Sequence, residues 1–417
     1  MASPVSNTRA GMERAVSATR RRWIAGATVV AASVLLAACG GEFSRFGGPG
    51  GTVATGPQAP AAPAVSGDTL GTGSVRVALL VPQSAPGNAG AIGKALRNAA
   101  QLAVNDFRNA DIQVIVKDTQ GTPGGAQAAA QAAVSEGAQL IIGPLIGSSV
   151  AAAAPVARGA NVPIIAFSTD VNVAGPGVYL LSFLPQNDIR RIVGYANKSG
   201  RRSFGALLPD NAYGNVVEGT FRETTASAGA RVVAIERYPG DNAGIASATQ
   251  RFATSAAGNA DAILLPDGSG AVAAVTPVLS AGGVNPQSVK ILGSGQWDSP
   301  SVRSNPFLQG AWYPAPNPAG WNKFASRYQG TFGSTPPRLA TLSYDAVSLA
   351  AALTRAPAGN RYTASVLTNP SGFNGIDGIF RFTRNGQNER GLAVLEITSG
   401  GGTRVVDPAP SRFGAGS

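Results

Sequence analysis

Three short apolar runs decide the fold: residues 76–82 read RVALLVP, residues 140–144 read LIIGP and residues 162–167 read VPIIAF. Each run consists mainly of residues drawn from Val, Ile, Leu and Ala and has a proline at or near one end, as is typical of a buried strand. The segments around them are predicted as a strand at 112–116 and helices at 91–107, 126–136 and 148–158. This alternation predicts a parallel sheet with right-handed crossovers.

A second unit with the same alternation follows. Its predicted strands lie at 204–208, 232–235, 262–265 and 289–292, and its predicted helices at 213–228, 245–257 and 270–280. Later segments are predicted as helices at 321–328 and 339–353 and as a hairpin of 379–383 with 392–397 around Asn385-Gly386. The sequence therefore predicts an α/β protein with two lobes, each a parallel sheet flanked by helices, and a cleft between them. Ligands of such sheets bind beyond the carboxyl ends of the strands.

The two sheet units suggest boundaries for the lobes. Residues 178–183 are a predicted strand between the units. The first lobe is expected to comprise 74–186 plus about 311–358, and the second 187–310 plus about 359–405. Hinges are expected near 183–187, near Gly310 and near Gly359, and 406–417 are expected to be a flexible tail.

The first 39 residues resemble an export signal rather than part of a fold. Arg20–Arg22 precede an apolar run at 23–38, which is shorter than the roughly 20 residues of a membrane span. Leu36-Ala37-Ala38-Cys39 resembles the bacterial lipobox, which implies a signal peptide at 1–38 and diacylglycerol on the Cys39 sulfur. Thr19–Ile24 also resembles a twin-arginine signal, so two export routes stay open. Residues 39–73 are predicted to be the lipidated cysteine and a flexible tether.

Composition excludes several classes of enzyme. The 417 residues contain no histidine and one cysteine, which rules out Ser-His-Asp and Cys-His catalysis, histidine metal sites and an intrachain disulfide. The segment ending at Gly93-Lys94 departs twice from a phosphate loop, because Asn88 and Ala95 stand where glycine and Ser/Thr are needed. We therefore expect neither an enzyme nor a cofactor or metal site.

The net charge of +11 does not indicate a nucleic-acid protein. Five of the arginines lie in the signal segment, and the remaining Lys and Arg residues are scattered without an aromatic-interleaved patch.

Polar and aromatic residues at the predicted strand ends are the candidate cleft residues. Aspartates at such positions are most often helix caps or loop hydrogen-bond acceptors, so they are not assigned to catalysis. An aromatic side chain there either stacks on a ligand or packs a lobe. The candidates are Ser148, Ser149, Ser168, Thr169, Asp170, Tyr213, Asp267 and Trp297.

Residues 74–397 resemble the type I periplasmic binding fold of the Leu/Ile/Val-binding class. The resemblance rests on 77–82, 142–144, 162–166 and Tyr213-Gly214. More specifically, the chain resembles the penicillin-binding-protein activator lipoproteins of the LppC type. That resemblance rests on the motifs 208–214 (LPDNAYG), 265–268 (LPDG), 293–298 (GSGQWD), 343–347 (SYDAV), 373–382 (FNGIDGIFRF) and 390–396 (RGLAVLE).

The Leu/Ile/Val-binding class implies anchors for an amino acid. A serine after the third strand and a threonine after the fourth hold the ligand carboxylate, which implies Ser148 or Ser149 for the first role. The second role falls at Thr169 or Asp170, and an aspartate there would repel a carboxylate. The acid that holds the ammonium would fall near Gly295, where none stands; Asp298 follows three residues later.

Two functions are compatible with these features. The first is an envelope lipoprotein that regulates peptidoglycan synthesis by docking a penicillin-binding protein. The alternative is a substrate-binding lipoprotein that delivers a branched-chain amino acid or another small solute to an ABC permease. In both cases the protein is expected in the periplasm, held to a membrane by lipid. Gly40 rather than aspartate after Cys39 favours the outer membrane.

Overall fold

Strands and helices alternate along residues 63–414, the part of the chain that the computed structural model describes. The strands are β1 (Thr69–Leu70), β2 (Val75–Val81), β3 (Ile112–Asp118), β4 (Leu140–Ile142), β5 (Ile164–Ala166), β6 (Val178–Leu180), β7 (Ser203–Pro209), β8 (Arg231–Tyr238), β9 (Ala262–Leu264), β10 (Lys290–Leu292), β11 (Trp312–Ala315), β12 (Phe373–Gly375), β13 (Gly378–Phe382), β14 (Asn388–Arg390), β15 (Ala393–Ile397) and β16 (Thr403–Asp407). The helices are α1 (Asn88–Asp106), α2 (Pro123–Ser135), α3 (Gly147–Gly159), α4 (Pro185–Lys198), α5 (Ala212–Ser227), α6 (Asn242–Ala256), α7 (Ser269–Ala281), α8 (Pro300–Arg303), α9 (Pro318–Phe332), α10 (Ala340–Leu353) and α11 (Ala364–Leu367). The signal peptide, Cys39 and most of the expected tether lie outside the described residues.

The first lobe is built on a six-stranded sheet of order β1-β3-β2-β4-β5-β6. β2 to β6 are parallel, and β1 joins the edge antiparallel to β3. The apolar runs that predicted these strands are buried; Leu79 and Ile142, for example, have no exposed surface. The α/β fold with parallel strands between helices is confirmed.

Helices of the first lobe are specified by short local signals. Pro123 begins α2, and the Thr122 hydroxyl accepts a hydrogen bond from the Gly125 N–H at 3.0 Å, as an N-cap does. α2 and α3 are rich in alanine, and Ala129, Ala133, Ala153 and Ala157 are buried in one cluster with the sheet. Small side chains permit this close approach of two helices to the sheet.

The second lobe is built on a seven-stranded sheet of order β16-β15-β11-β10-β9-β7-β8. β7, β8, β9, β10 and β11 are parallel, whereas β15 lies antiparallel between β11 and β16. Trp297, Phe252 and Tyr313 are the large side chains of its core, each at most 1% exposed. α4 packs on this sheet through Ile189 and Val193.

The chain passes between the lobes at three places that differ in part from the expected ones. The first crossing, at 181–184, lies at the edge of the expected hinge. The second lies at 316–317, after β11, and the third at 391–392, between β14 and β15. Gly310 and Gly359, which were expected near the other two hinges, lie in local turns instead. Gly310 precedes β11 inside the second lobe, and Gly359 lies between α10 and α11 in the first.

The late segments therefore belong to different lobes than expected. Residues 311–315 join the second sheet and its core, whereas 362–390 pack on the first lobe through Tyr362, Leu367, Phe380 and Phe382. The expected hairpin also differs, because β13 pairs with β14 around Asn385-Gly386 and β15 joins the second sheet.

Both ends of the described chain contact the body, although both were expected to be flexible. Leu70 of β1 is 2% exposed within the first-lobe core. β16 extends to Asp407, beyond the expected start of the tail, and the Phe413 ring lies 4.6 Å from the Arg381 guanidinium. Strand pairing and aromatic stacking hold these two segments.

A chain that starts at residue 74 should be less stable than one that starts at residue 60. The shorter chain loses the buried Leu70 side chain and the pairing of β1 with β3. We expect a loss of about 2–3 kcal/mol in the free energy of unfolding, measured by urea denaturation. Leu70→Ala in the longer chain should reproduce most of this loss, and equal stability of all three proteins would contradict the prediction.

Candidate functional site

A cleft of about 510 Å³ opens at the carboxyl ends of the two large sheets, and both lobes contribute to its walls. The lining comes from the loops after β5 and β10, from β11, from the three crossings, from the first turns of α4, α5 and α9, and from the turn before α10. Its residues are Thr169, Phe183, Pro185, Asp188, Tyr213, Gly295, Gln296, Asp298, Pro314, Pro316, Trp321, Arg338 and Leu392. Its position is the one where open parallel sheets bind ligands.

One wall of the cleft is aromatic. The Arg338 guanidinium lies 4.7 Å from the Trp321 ring and 5.7 Å from the Phe183 ring, so a planar cation joins the two rings. Trp321 packs in turn on Phe324 at 6.0 Å between ring centroids. Contacts of this kind fix the ring positions and leave a largely apolar surface for a ligand.

Tyr213 lines the opposite lobe and was predicted from the sequence. It lies in the first turn of α5, where the Asn211 side chain accepts a hydrogen bond from the Gly214 N–H at 3.0 Å. The Tyr213 hydroxyl donates to the Pro266 carbonyl at 2.9 Å. Burial raises the pKa of Tyr213 to about 12, so the phenol stays neutral and can accept a hydrogen bond from a ligand.

Asp188 is the half-buried carboxylate of the cleft. It lies in the first turn of α4, and its Oδ2 accepts a hydrogen bond from the Gly295 N–H at 2.8 Å. Burial raises the pKa of Asp188 to about 7, against the lowering effects of the Gly295 N–H and the Arg390 guanidinium. The residue was not predicted, since an acid in a first helical turn is most simply explained by the helix dipole.

Behind the aromatic wall lies a cluster of charged residues in which Arg390, Asp345 and Asp377 are buried and Arg338 reaches the cleft. Arg390 is 8% exposed; its Nε donates to the Ser182 carbonyl at 2.9 Å, and its guanidinium lies 4.6 Å from the Phe183 ring. Arg338 Nη2 is 2.6 Å from Asp377 Oδ1. Asp345 accepts the Ile376 N–H at 2.8 Å. These side chains come from separate segments of the first lobe, and sequence motifs alone did not bring them together.

The predicted residues of the first lobe meet at the start of α3. Ser148 is exposed, Ser149 is 1% exposed and its Oγ has no hydrogen-bond partner among residues 63–414, and the Ser168 hydroxyl accepts the Asp170 N–H at 3.1 Å. Of this group, Thr169 lines the cleft. These residues therefore lie together, with Ser149 and Ser168 buried and Ser148 and Thr169 exposed.

The Asp170 carboxylate lies against the amino-terminal end of α3. A Cβ added to Gly147, the first residue of this helix, would lie 3.2 Å from Asp170 Oδ2. Asp170 Oδ1 accepts hydrogen bonds from the N–H and the side-chain amide of Asn172 at 3.0 and 2.9 Å. The protein's own acid thus lies where a helix end would otherwise attract an anion.

Two predicted cleft residues have structural roles instead. Trp297 is fully buried in the core of the second lobe, and its Nε1 donates to the Asp267 carbonyl at 3.1 Å. The Asp267 carboxylate accepts from the Tyr238 hydroxyl at 2.8 Å and from the Gly268 N–H at 2.8 Å. Neither lines the cleft. The indole turns inward because Gly293 leaves room for it: a Cβ there would lie 2.1 Å from the ring.

Within the described residues, no group of three or more acidic or cysteine side chains is arranged to hold a metal ion. None of the helices in this range is long and apolar enough to span a bilayer.

Solved structures with the same fold cover most of this chain. A branched-chain amino acid ABC transporter ligand-binding protein from Burkholderia xenovorans has a TM-score of 0.64 at 18% identity, covering 82% of this chain and 95% of its own. An ABC transporter substrate-binding protein from Sphaerobacter thermophilus has a TM-score of 0.64 at 20% identity, covering 81% and 98%. A Rhodopseudomonas palustris ABC transporter solute-binding protein in complex with 3,4-dihydroxybenzoic acid has a TM-score of 0.58 at 22% identity, covering 81% and 97%.

No protein with a curated description matches the sequence. The sequence pattern of the periplasmic binding protein family matches residues 74–402, which include both large sheets except their edge strands β1 and β16. The two parallel sheets, the cleft at their carboxyl ends and this match agree, and the chain belongs to the periplasmic binding protein family.

Proposed function

We propose that the protein binds a small organic solute in the cleft between its lobes and delivers it to an ABC permease. The observation that carries the proposal is the cleft itself, whose volume of about 510 Å³ lies in the range of ligand sites and whose walls come from both lobes. A solute held by both lobes favours one arrangement of them, and a permease can recognise that arrangement. The structural neighbours that are ABC transporter proteins support this function.

Regulation of peptidoglycan synthesis through a penicillin-binding protein is the second candidate, and it rests on the motif resemblance. Several of those motif residues have packing roles that account for them. Gly293 makes room for the Trp297 ring, Gly375 faces the Asp345 carboxylate, and Gly214 faces the Pro209 carbonyl. A motif that serves folding specifies no docking surface. Delivery of a solute to a permease, called the carrier function below, is therefore the better supported of the two.

Lipidation at Cys39 is part of the proposal for either function, although Cys39 lies outside the described residues. A lipid anchor would keep a carrier near its permease. The outer-membrane location expected from Gly40 suits the regulator, whereas a carrier is most useful at the inner membrane. Mass spectrometry of the mature amino terminus, followed by membrane fractionation, tests both points.

A ligand should raise the unfolding temperature of residues 40–417 by a few degrees. At one hundred times its dissociation constant, a ligand adds about 2.7 kcal/mol to the free energy of unfolding. The panel contains amino acids, aromatic acids, amines, short peptides and muropeptides. Gln296→Ala should weaken the binding of a hit about tenfold, because Gln296 lines the cleft and alanine cannot make the hydrogen bond that the glutamine side chain offers to the ligand.

Gln287→Ala is the matched control, since Gln287 is exposed on the second lobe and does not line the cleft. A hit that both variants weaken equally would place the ligand elsewhere. A panel without hits, together with capture of a penicillin-binding protein by the native protein, would overturn the carrier function in favour of the regulator.

A further inference from the structure

We propose that the cleft selects an organic cation, a solute with a positively charged nitrogen on an apolar or aromatic body, and that Asp188 contacts its charge. This inference rests on the proposed function and adds the chemical class of the ligand and a residue that determines it.

Asp188 presents a carboxylate oxygen to the cleft. Its Oδ2 is held by the Gly295 N–H at 2.8 Å, which fixes the orientation of the group. Its Oδ1 accepts no hydrogen bond from residues 63–414, and the residue lines the cleft. A Cβ on Gly295 would lie 3.0 Å from Oδ2, so glycine at that position makes room for the carboxylate. An oriented oxygen that lacks a donor suits an ammonium group.

A second acidic residue of the cleft lining, Asp298, strengthens the preference for a cation. Asp298 also lines the cleft, and its Oδ1 accepts from Arg303 at 2.8 Å and from the Tyr313 hydroxyl at 3.3 Å. Its Oδ2 has no donor among the described residues. The Tyr213 ring lies in the same lining, and an aromatic face attracts a cation.

The cations near the cleft are not available to an anionic ligand. Both terminal nitrogens of Arg338 are buried, and one of them pairs with Asp377 at 2.6 Å. Arg390 lies behind the Phe183 ring and is 8% exposed. A carboxylate in the cleft would therefore meet Asp188 and the unpartnered oxygen of Asp298, whereas Arg338, although its side chain is 28% exposed, presents no accessible terminal nitrogen.

The first lobe offers no anion site either. The start of α3 would attract an anion, but the Asp170 carboxylate already lies there, 3.2 Å from the position of a Cβ on Gly147. The Ser149 hydroxyl is buried and the Ser168 hydroxyl accepts the Asp170 N–H. Both lobes thus disfavour a free carboxylate on the ligand.

Matched probes test the inference on the full-length protein in a mild non-ionic detergent. Isothermal titration at pH 8 compares a cation, a neutral compound and an anion that share a carbon skeleton of similar size, for three skeletons. The sets are methylamine, methanol and formate; isobutylamine, isobutanol and isobutyrate; and benzylamine, benzyl alcohol and benzoate. We expect at least one amine to bind tenfold or more tightly than its carboxylate. Asp188→Asn should weaken that amine at least tenfold and change the neutral compound by less than twofold. Glu223→Gln removes an exposed carboxylate from the same lobe and should change neither.

The pH dependence separates a direct charge contact from a structural role. Asp188 is faced by the Gly295 N–H, by Arg390 and by the neutral Tyr213 phenol, with Asp298 in the same wall. Amine affinity should rise between pH 6 and pH 8 as the carboxyl ionises, and the rise should vanish in Asp188→Asn. A carboxylate that binds as tightly as its amine, with no effect of Asp188→Asn, would overturn the inference and leave the proposed function standing. Failure of all three amines would also overturn it, and the wider solute panel then decides the proposed function on its own.

Discussion

Gly214→Ala should destabilise the protein by about 3 kcal/mol, whereas Gly219→Ala, five residues further along the same helix, should stabilise it by about 0.5–1 kcal/mol. A Cβ on Gly214 would lie 1.8 Å from the carbonyl oxygen of Pro209, and a Cβ on Gly219 would meet no atom within 4 Å. Both glycines lie in α5, so the helix propensities of the two substitutions are matched and the contact with the sheet is the difference between them.

The Pro209 carbonyl has little freedom to retreat from that contact. Pro209 ends β7, where it pairs with Tyr238 of β8, and its carbonyl also accepts the Asn211 N–H at 3.1 Å. Urea unfolding of both variants measures the difference. Equal midpoints for Gly214→Ala and the parent would mean that α5 can move off the strand end, and the position of Tyr213 in the cleft would then not be fixed by this packing.

Most of the two lobes could be predicted because buried parallel strands appear in the sequence as short continuous apolar runs, and the helices that cover them show apolar residues at helical spacing. The runs at 76–82 and 140–144 became β2 and β4, and the pattern at 213–228 became α5. β11 was missed because Trp312–Ala315 is short, contains Pro314 and is followed by further prolines, which indicate a loop. Without β11 the second and third crossings could not be placed.

The cleft was harder to predict because its chemistry depends on contacts between distant residues. The strand-end rule found Thr169 and Tyr213, which do line the cleft. The same rule wrongly included Trp297, since a sequence does not show whether an aromatic ring turns to a ligand or to the core. Asp188 contacts Gly295, 107 positions away, and no local pattern indicates that pairing.

Ionisation of Asp345 should lower the free energy of unfolding as the pH rises from about 4 to about 7, and Asp345→Asn should remove this contribution. Asp345 is 3% exposed in α10, and its Oδ2 has no hydrogen-bond partner among the described residues. Burial, and then the charge of Asp377, raise the pKa of Asp345 from 3.8 to about 7, although the Ile376 N–H, Arg390 and Arg338 act in the opposite direction.

The sign follows from proton binding in the two states. Between pH 4 and pH 7 the folded protein keeps the proton on Asp345 and the unfolded chain releases it, so rising pH favours the unfolded chain. A pKa that moves from 3.8 to about 7 corresponds to as much as about 4 kcal/mol of stability lost across this range. Asp188, whose pKa is also raised to about 7 by burial, adds a change of the same sign.

Urea unfolding at pH 5 and pH 8 should therefore give Asp345→Asn a stability close to the parent's at pH 5 and a higher stability at pH 8. The asparagine carbonyl can still accept the Ile376 N–H, which keeps the contact of α10 with β12–β13, and the amide cannot ionise. Glu223→Gln, which removes an exposed carboxyl, is the charge control. A variant that loses stability equally at both pH values would show that the ionised Asp345 is needed to balance Arg390 and Arg338. The buried cluster behind the cleft would then be a fully charged network rather than one that takes up a proton.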